Sequence, residues 1–388
     1  MIDMNKNDRK VVPNRIKQAR ISRGYSMGEL AELIDVTRQS ISQYELGKTV
    51  PSTSVIVKLS DILKYPTSFF YKEIPTNDNA NSAVFFRSRR TTTIKEKAAC
   101  IEKISIFSEI NEYLRKYIDF PEVDLPKVDY DYYTEEAPFE KIQEYVDILR
   151  QHWKLGKGPI ENLTFLVQQN GIMQSCINMN YSKIDGLSVW YDGIPYIFMS
   201  KEKECNVRLR FGIAHELGHL IMHAGLFGED DIKKTVINNK LEHEANLFAS
   251  AFLMPEETFS RDIYSTSLDH FIQLKKKWNV SIAAMIMRCE SLDLLTENQV
   301  KYLNDHLWKR GYRKREPLDD VIPVEYPFAH KQAFKLLLDN NIVTVSQLVD
   351  EIGCYASEIE EYSYLEKGTL KLAEDPNKVI KLRVNSRM

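Results

Sequence analysis

The segment Arg210–His223 constrains this 388-residue chain more than any other, because it contains an H-E-x-x-H pattern at residues 215–219. Residues four apart lie on one face of a helix, a single turn from each other. The imidazoles of His215 and His219 can therefore reach one Zn²⁺, and Glu216 is placed to polarise the water that the metal carries. The pattern predicts a helix with a zinc site on one face.

The neighbours of this motif are nearly all apolar, which is typical of a helix buried in a protein core. They are Phe211, Ile213, Ala214, Leu217, Leu220, Ile221 and Met222. His223 follows His215 by two turns; we expect it to pack in this core or to cap the helix, and support of a zinc ligand from behind is the alternative. Two core histidines without a metal are the alternative interpretation of the motif.

A later segment, Leu241–Pro255, offers a third ligand, and a catalytic zinc usually has three protein ligands and one open position. Glu242 and Asn246 share one face of this predicted helix. Glu242 as the ligand would allow Asn246 to support a zinc-binding histidine from one turn away. Glu244 lies about 200° around the helix from Glu242 and is the alternative ligand.

Charge is unevenly distributed along the chain. The first 75 residues have 12 Lys and Arg against 8 Asp and Glu, whereas the whole chain has a net charge of −3. A basic front end joined to an acidic body indicates that only the front end meets a polyanion. The five cysteines form no C-x-x-C pair, which predicts reduced thiols. Without an apolar run of about 18 residues or a signal-peptide core, we expect a cytoplasmic protein with no membrane partner.

The front end is rich in helix signals. We predict helices at Asn14–Arg23, from Ser26 with Glu29 at the capping-box position, at Arg38–Leu46 and from Pro51 to Leu63, and a last turn after Pro66. Two short helices joined by a tight turn inside a helical cluster describe a helix-turn-helix. In that turn Asp35 occupies a position where Gly is usual, and Asp tolerates left-handed backbone.

The segment Thr37–Lys48 resembles the recognition helix of the phage repressor/Cro (XRE) family. The N-terminal end of that helix reads base edges, so the resemblance implies four groove-facing residues: Arg38, Gln39, Ser40 and Gln43. Arg suits guanine and Gln suits adenine. Lys48 is expected to hold a phosphate. A helical protein-interaction module with a solvated polar face is the alternative.

Three strand-like runs precede the zinc motif, at residues 172–177, 187–191 and 195–199, with Asp192-Gly193 as a hairpin turn. A sheet edge beside a zinc helix is a plausible groove for extended peptide. Helices are predicted at Phe139–Trp153 and Pro159–Val167. A helix from Thr93 to about Tyr117 has an apolar stripe that packs within the chain or pairs two subunits.

These elements predict an α+β, mostly helical chain. Its parts are a five-helix helix-turn-helix domain (residues 10–73), a linker and connecting helix (74–135), a zincin-like domain with a small sheet (136–316) and a small helical C-terminal module (317–388). The patterns H-E-L-G-H-x-x-x-H and E-x-E-A-N-x-F-A-x-x-x-L-M-P are together similar to the ImmA/IrrE family of metallopeptidases, over residues 139–316. Members that resemble this chain typically cleave a partner repressor of the XRE type.

The predicted function is therefore a DNA-binding transcriptional regulator with a zinc endopeptidase that cleaves a repressor-type protein, related to stress, a mobile element or a phage. In this chemistry Glu216 accepts a proton from water and delivers it to the leaving amine. The oxyanion donor is sought among Tyr181, Tyr191, Tyr196 and Arg210. Expected partners are an operator duplex, a repressor or toxin–antitoxin-type substrate, and a second copy of the chain, because such repressors usually bind palindromes as dimers.

A different class of function fits the same residues. The chain would then be a non-proteolytic transcription factor or an antitoxin, in which the zinc-peptidase fold senses a partner or ligand. The presence of Glu216 favours the enzyme, because a purely structural zinc site needs no general base.

Overall fold

The computed structural model describes residues 10–74, 84–88, 93–130, 138–177, 184–201, 205–224 and 235–371. These residues form a mostly helical α+β fold with one small sheet, as predicted. Tyr181, one of the four candidate oxyanion donors, lies outside the described residues. Among the described helices none is both long and apolar enough to cross a membrane.

The front end folds into four helices and a 3-10 turn: α1 (Pro13–Ser22), α2 (Met27–Ile34), α3 (Arg38–Glu45), α4 (Thr53–Leu63) and the turn Thr67–Tyr71. The Ser26 hydroxyl accepts from the Glu29 amide, and the Glu29 carboxylate accepts from the Ser26 amide, which is the predicted capping box. The fourth helix begins later than predicted, because Ser52 and not Pro51 supplies the cap.

The turn between α2 and α3 has the left-handed backbone that the sequence predicts. Asp35 has φ 59° and ψ 55°. The Thr37 hydroxyl then accepts from the Ser40 amide at 3.1 Å and starts α3. This turn sets the angle between α2 and α3 and leaves the start of α3 exposed.

The sheet has four strands and not the predicted three. They are β1 (Val84–Ser88), β2 (Met173–Ile177), β3 (Ile184–Tyr191) and β4 (Ile194–Ser200), in the order β1-β3-β4-β2. The β3–β4 hairpin turns at Asp192 and Gly193, which have φ 51° and 72°, as a two-residue hairpin loop requires. The added strand, β1, comes from the predicted linker and pairs antiparallel with β3.

The remaining helices include the predicted ones at Thr93–Tyr117 and Phe139–Trp153. They are α5 (Ile94–Arg115), α6 (Phe139–His152), α7 (Leu163–Gln169), α8 (Asn206–Gly218), α9 (Thr235–Leu253), α10 (Glu256–Asp262), α11 (Leu268–Trp278), α12 (Ile282–Ser291), α13 (Glu297–Lys309), α14 (Ala329–Asp339), α15 (Val345–Ile352) and α16 (Ala356–Tyr362). The prediction for α7 was four residues early, because Asn162 is the cap and its side chain accepts from the Phe165 amide.

Two hydrophobic cores lie on opposite faces of the sheet. The motif core joins α6–α13 to the face that carries Ile197 and Met199. The shared core joins the helix-turn-helix, α5 and α14–α16 to the face that carries Leu187 and Phe198. The stripe of α5 is therefore largely buried within the chain, with Phe107 and Ile110 fully covered, which favours the predicted packing within the chain.

The shared core crosses the predicted boundaries near residues 73 and 316. The division into four parts stays a prediction about folding units, because helices from three of those parts complete one core. Buried charges reinforce the connection. Arg15 of α1 pairs with Glu109 of α5 at 2.5 Å, and Arg23 pairs with Glu358 of α16 at 2.9 Å. The helix-turn-helix is consequently fastened to α5 and to the C-terminal helices.

His330 gives the shared core a predictable response to pH. Burial lowers its pKa to about 3, and its Nε2 lies 3.1 Å from Asn111 Oδ1. Below about pH 6.5 the unfolded chain binds a proton that the folded chain does not, so stability falls by up to about 1.4 kcal/mol per pH unit. We expect His330→Gln to flatten the loss of unfolding free energy between about pH 6.5 and pH 4. Urea denaturation at several pH values measures both slopes, and parallel slopes would contradict the prediction.

Candidate metal centre

The predicted ligands come together between α8 and α9. His215 lies near the end of α8, and His219 begins a widened, π-helical turn, His219–His223. Their Nε2 atoms are 3.1 Å apart. The Glu242 carboxylate on α9 places its oxygens 3.4 Å from His215 Nε2 and 3.5 Å from His219 Nε2.

This donor set fits a zinc ion. The ligand atoms of a tetrahedral zinc, with bonds of about 2.1 Å, lie about 3.4 Å apart, close to the three distances observed. Glu242 Oε1 is buried and accepts no hydrogen bond from the described residues. The Glu242 side chain is 26% exposed, whereas His215 is 0% exposed, so the site opens on the carboxylate side. Two nitrogen ligands, one oxygen ligand and one open position are typical of a catalytic zinc site.

The ionisation state of Glu242 agrees with this role. Burial alone would raise the pKa of its carboxyl. The close approach of the His215 and His219 imidazoles outweighs that effect and holds the pKa of Glu242 well below its ordinary value. A carboxylate is the form that binds a metal.

Asn246 lies behind His215, as the sequence predicts. Its Oδ1 is 3.0 Å from His215 Nδ1. An amide oxygen only accepts, so His215 Nδ1 carries the proton. The lone pair of His215 then lies on Nε2, the nitrogen that points towards Glu242 and His219.

His223 plays the same part behind His219, and the expectation of a packed or capping histidine was incomplete. His223 is fully buried, and burial lowers its pKa to about 4, so it is neutral near pH 7. Its Nε2 lies 3.1 Å from Glu244 Oε2, and its Nδ1 lies 2.9 Å from His219 Nδ1. The carboxylate only accepts, so the proton of His223 is on Nε2 and its Nδ1 accepts from His219. His219 therefore also presents the lone pair of Nε2.

Glu244 closes this chain of hydrogen bonds. Besides His223 it accepts from the Tyr130 hydroxyl at 2.5 Å, and Lys240 Nζ lies 3.6 Å from its other oxygen. The structure thus directs Glu242 to the two histidines and Glu244 to the far side of His219. The sequence contains a sign of this arrangement, because His223 is four residues after His219 and shares its helix face.

Glu216 lies against β3, where two residues that the sequence did not single out control its position. The Ser188 hydroxyl donates to Glu216 Oε2 at 2.7 Å. A Cβ on Gly186 would lie 3.1 Å from Glu216 Oε1 and 3.0 Å from Met199 Sδ. Only glycine leaves this space, so Gly186 and Ser188 together fix the carboxylate of Glu216. Neither has a local sequence signal, because the contact depends on how the sheet packs on α8.

Two of the candidate oxyanion donors form hydrogen bonds with residues outside the group of metal ligands. Arg210 is fully buried, pairs with Glu325 and donates to the Ile160 carbonyl at 2.6 Å. The Tyr196 hydroxyl lies in the shared core and accepts from Asn111 Nδ2 at 3.1 Å. These contacts favour neither candidate as the oxyanion donor, because both side chains contribute to packing away from the metal ligands.

The helix-turn-helix presents the predicted groove-facing residues at the start of α3. Arg38, Gln39 and Lys48 are exposed, and Ser40 and Gln43 are half-buried. The opposite face of α3 anchors the helix, because Ile41 is fully buried and Glu45 forms a bidentate ion pair with Arg20, with N–O distances of 2.6 and 2.9 Å.

The fold and the site together define a helix-turn-helix domain joined to a metallopeptidase-like domain. Comparisons with known families agree with this description. Residues 16–70 match the helix-turn-helix family, and residues 168–290 match the IrrE N-terminal-like domain, a peptidase family. The predicted resemblance to XRE-type and ImmA/IrrE-type proteins is confirmed over these two segments.

The curated relatives match a short part of this chain. The SPbeta prophage-derived uncharacterized HTH-type transcriptional regulator YonR of Bacillus subtilis is 41% identical over 58 residues, which are 15% of this chain and 54% of the relative. An uncharacterized HTH-type transcriptional regulator of Sinorhizobium medicae is 36% identical over 64 residues, 16% of this chain and 46% of the relative. The chain thus spans about half the length of the curated relatives it matches.

One solved structure aligns along most of the chain. It is the crystal structure of Bacillus thuringiensis PlcR with a peptide and DNA, at 14% identity and 91% coverage of both chains. Its TM-score is 0.17, so this alignment carries no argument about fold or function.

Proposed function

We propose that this protein is a DNA-binding transcriptional regulator whose zinc-dependent endopeptidase domain cleaves a repressor-type protein. The observation that carries the proposal is the arrangement of His215, His219 and Glu242 around one point, together with the buried Glu216, which follows His215 in the chain and accepts from Ser188. A sensor or antitoxin would need the metal ligands but not a buried general base in this place. The helix-turn-helix domain would direct the protein to a specific DNA sequence.

The chain's own residues divide the chemistry between them. Asn246 and His223 fix the tautomers of His215 and His219, so that both Nε2 atoms present a lone pair and would hold the metal. When bound, zinc would supply Lewis-acid activation of the attacking water and of the peptide carbonyl. Glu216 takes the proton from the water and later delivers it to the leaving amine nitrogen. Ser188 donates to Oε2 of Glu216 and orients the carboxylate for this transfer.

The test uses the zinc-loaded full chain and an XRE-type repressor encoded beside it. We expect one defined cut in the repressor, mapped by mass spectrometry of the products. A chelator should stop cleavage, and added zinc should restore it. A repressor that stays intact with the zinc-loaded chain would favour the sensor or antitoxin function. Cleavage that is unaffected by the chelator would remove the metal from the reaction.

The DNA-binding part of the proposal gives a separate prediction. Gln39→Ala with Gln43→Ala should cost about 1–3 kcal/mol for each lost base contact and relax sequence preference. Lys48→Ala, as a matched control, should weaken binding to all sequences alike and reduce the salt dependence by about one phosphate contact. Operator fragments selected with the parent chain serve as the probe, with fluorescence anisotropy at several salt concentrations. An unchanged footprint for the double variant would contradict the assignment of α3.

The proposed operator complex contains two copies of the chain, because repressors of this type usually read palindromes with two-fold symmetry. Footprint length tests this point: half-sites about 10 base pairs apart indicate a dimer.

A further inference from the structure

The strand that neighbours Glu216 is β3, and its position matters if the proposed peptidase function holds. Ser188 of β3 donates a hydrogen bond to the Glu216 carboxylate, and Gly186 of the same strand leaves the space that this carboxylate occupies. Trp190 of the same strand donates from its indole nitrogen to the Leu220 carbonyl in the π-helical turn at 3.2 Å. β3 therefore runs beside the general base and the helix that carries both histidines.

The other edge of β3 is occupied by β1. Phe85 pairs with Ser188, and Arg87 pairs with Gly186. The backbone of β1 thus lies directly opposite the two β3 residues that hold Glu216, at the usual strand spacing of about 4.8 Å. An extended substrate that used the backbone of β3 for hydrogen bonds would need this same place.

β1 has the features of a strand that can be exchanged. It is five residues long, it pairs on one side only within the described sheet, and its register shifts between Arg87 and Ser88. Short pairing and a bulge mean few ladder hydrogen bonds. Its attachment to the same chain compensates, because an intramolecular strand competes at an effective concentration in the millimolar range.

We propose that the β3 edge is the substrate-binding edge of the peptidase and that β1 is a built-in occupant of it. The substrate binds as an extended segment antiparallel to β3, and β1 leaves before it binds. The resting chain is consequently closed to extended peptides. The inference rests on the proposed peptidase function, but it concerns binding and can be tested without hydrolysis.

The first test fixes β1 in place. Val84 and Val189 are directly opposite each other, so Val84→Cys with Val189→Cys can form a cross-strand disulfide. The background is the full chain with Glu216→Gln and zinc, and the probe is a fluorescein-labelled peptide of residues 82–90 of this chain. We expect oxidation to weaken peptide binding by at least about tenfold and dithiothreitol to restore it. Val189→Cys alone, which has no bonding partner in β1, should not respond to dithiothreitol.

The second test releases β1. Successive amides of a strand point to opposite edges, so only one of Phe85→Pro and Phe86→Pro removes a donor from the β1–β3 ladder. The other variant is its matched control, since it loses the same kind of side chain at a neighbouring position. We expect the disrupting variant to bind the labelled peptide at least about tenfold more tightly than its neighbour. A scrambled peptide should bind none of the variants, and zinc affinity should be the same in all.

Three results would overturn the inference. They are equal peptide binding by the oxidised and reduced disulfide variants, equal binding by the two proline variants, and no peptide binding by any of them. Failure of the proposed function gives a different pattern. Peptide binding would then follow the state of β1, while a chain that retains Glu216 would leave the repressor intact.

Discussion

Glu216→Gln is expected to reduce the single-turnover rate of repressor cleavage by on the order of a thousandfold or more, while zinc binding stays within about threefold of the parent. The amide has the size of the carboxylate and can still accept from the Ser188 hydroxyl. It cannot take a proton from the attacking water. The variant therefore separates loss of the general base from loss of the site's structure.

Two measurements check this expectation, cleavage rate with saturating enzyme and zinc content after dialysis. Ser188→Ala is the control on the same hydrogen bond. It keeps the carboxylate and should lower the rate by only about tenfold, since Glu216 loses its orientation and not its basicity. Equal cleavage rates for Glu216→Gln and the parent would remove Glu216 from the mechanism.

The second large effect is a loss of zinc affinity, and it is tested by substituting two glutamates of α9 separately. Glu242→Ala removes one of three ligands, so we expect zinc affinity to fall by on the order of a thousandfold or more. Glu244→Gln leaves all three ligands and disturbs only the hydrogen bond that sets the tautomer of His223, so a 10- to 100-fold loss is expected. Competition with a chromophoric chelator measures both.

The relative size of the two losses in zinc affinity distinguishes Glu242 from Glu244 as the third metal ligand. A larger loss for Glu244→Gln than for Glu242→Ala would make Glu244 the ligand and would contradict the assignment of Glu242. Cobalt substitution gives a second readout, because the visible spectrum of the bound ion reports the number of ligands. We expect Glu244→Gln to keep the parent spectrum and Glu242→Ala to change it.

The parts of this protein that the sequence predicts are those that depend on local periodicity. The capping box of Ser26, the left-handed backbone of Asp35 and the shared helix face of Glu242 and Asn246 all involve residues within one or two helical turns. The metal site follows, because the spacing of four between His215 and His219 leaves few geometries. Only the third ligand needed a choice, and helix geometry favoured Glu242, whose carboxylate lies near both histidines.

The parts that escaped prediction depend on contacts between distant segments. β1 pairs with a strand about a hundred residues later, and a run of five residues gives no indication of its partner. Gly186 and Ser188 act on Glu216 only because the sheet packs against α8. The sequence around Glu109 is that of an ordinary surface carboxylate on a helix. In the structure Glu109 is buried and forms an ion pair with Arg15.

The shared core has a consequence for the amount of functional regulator in a cell. The predicted DNA-binding helices pack on one face of the sheet and α8 and α9 pack on the other, so we expect these parts to unfold together. A ligand that binds only the folded state stabilises everything that unfolds with its site. Zinc bound between α8 and α9 would thus protect the DNA-binding helices from degradation. If the proposed function holds, the supply of zinc would then affect the lifetime of the helix-turn-helix domain as well as the activity of the peptidase domain.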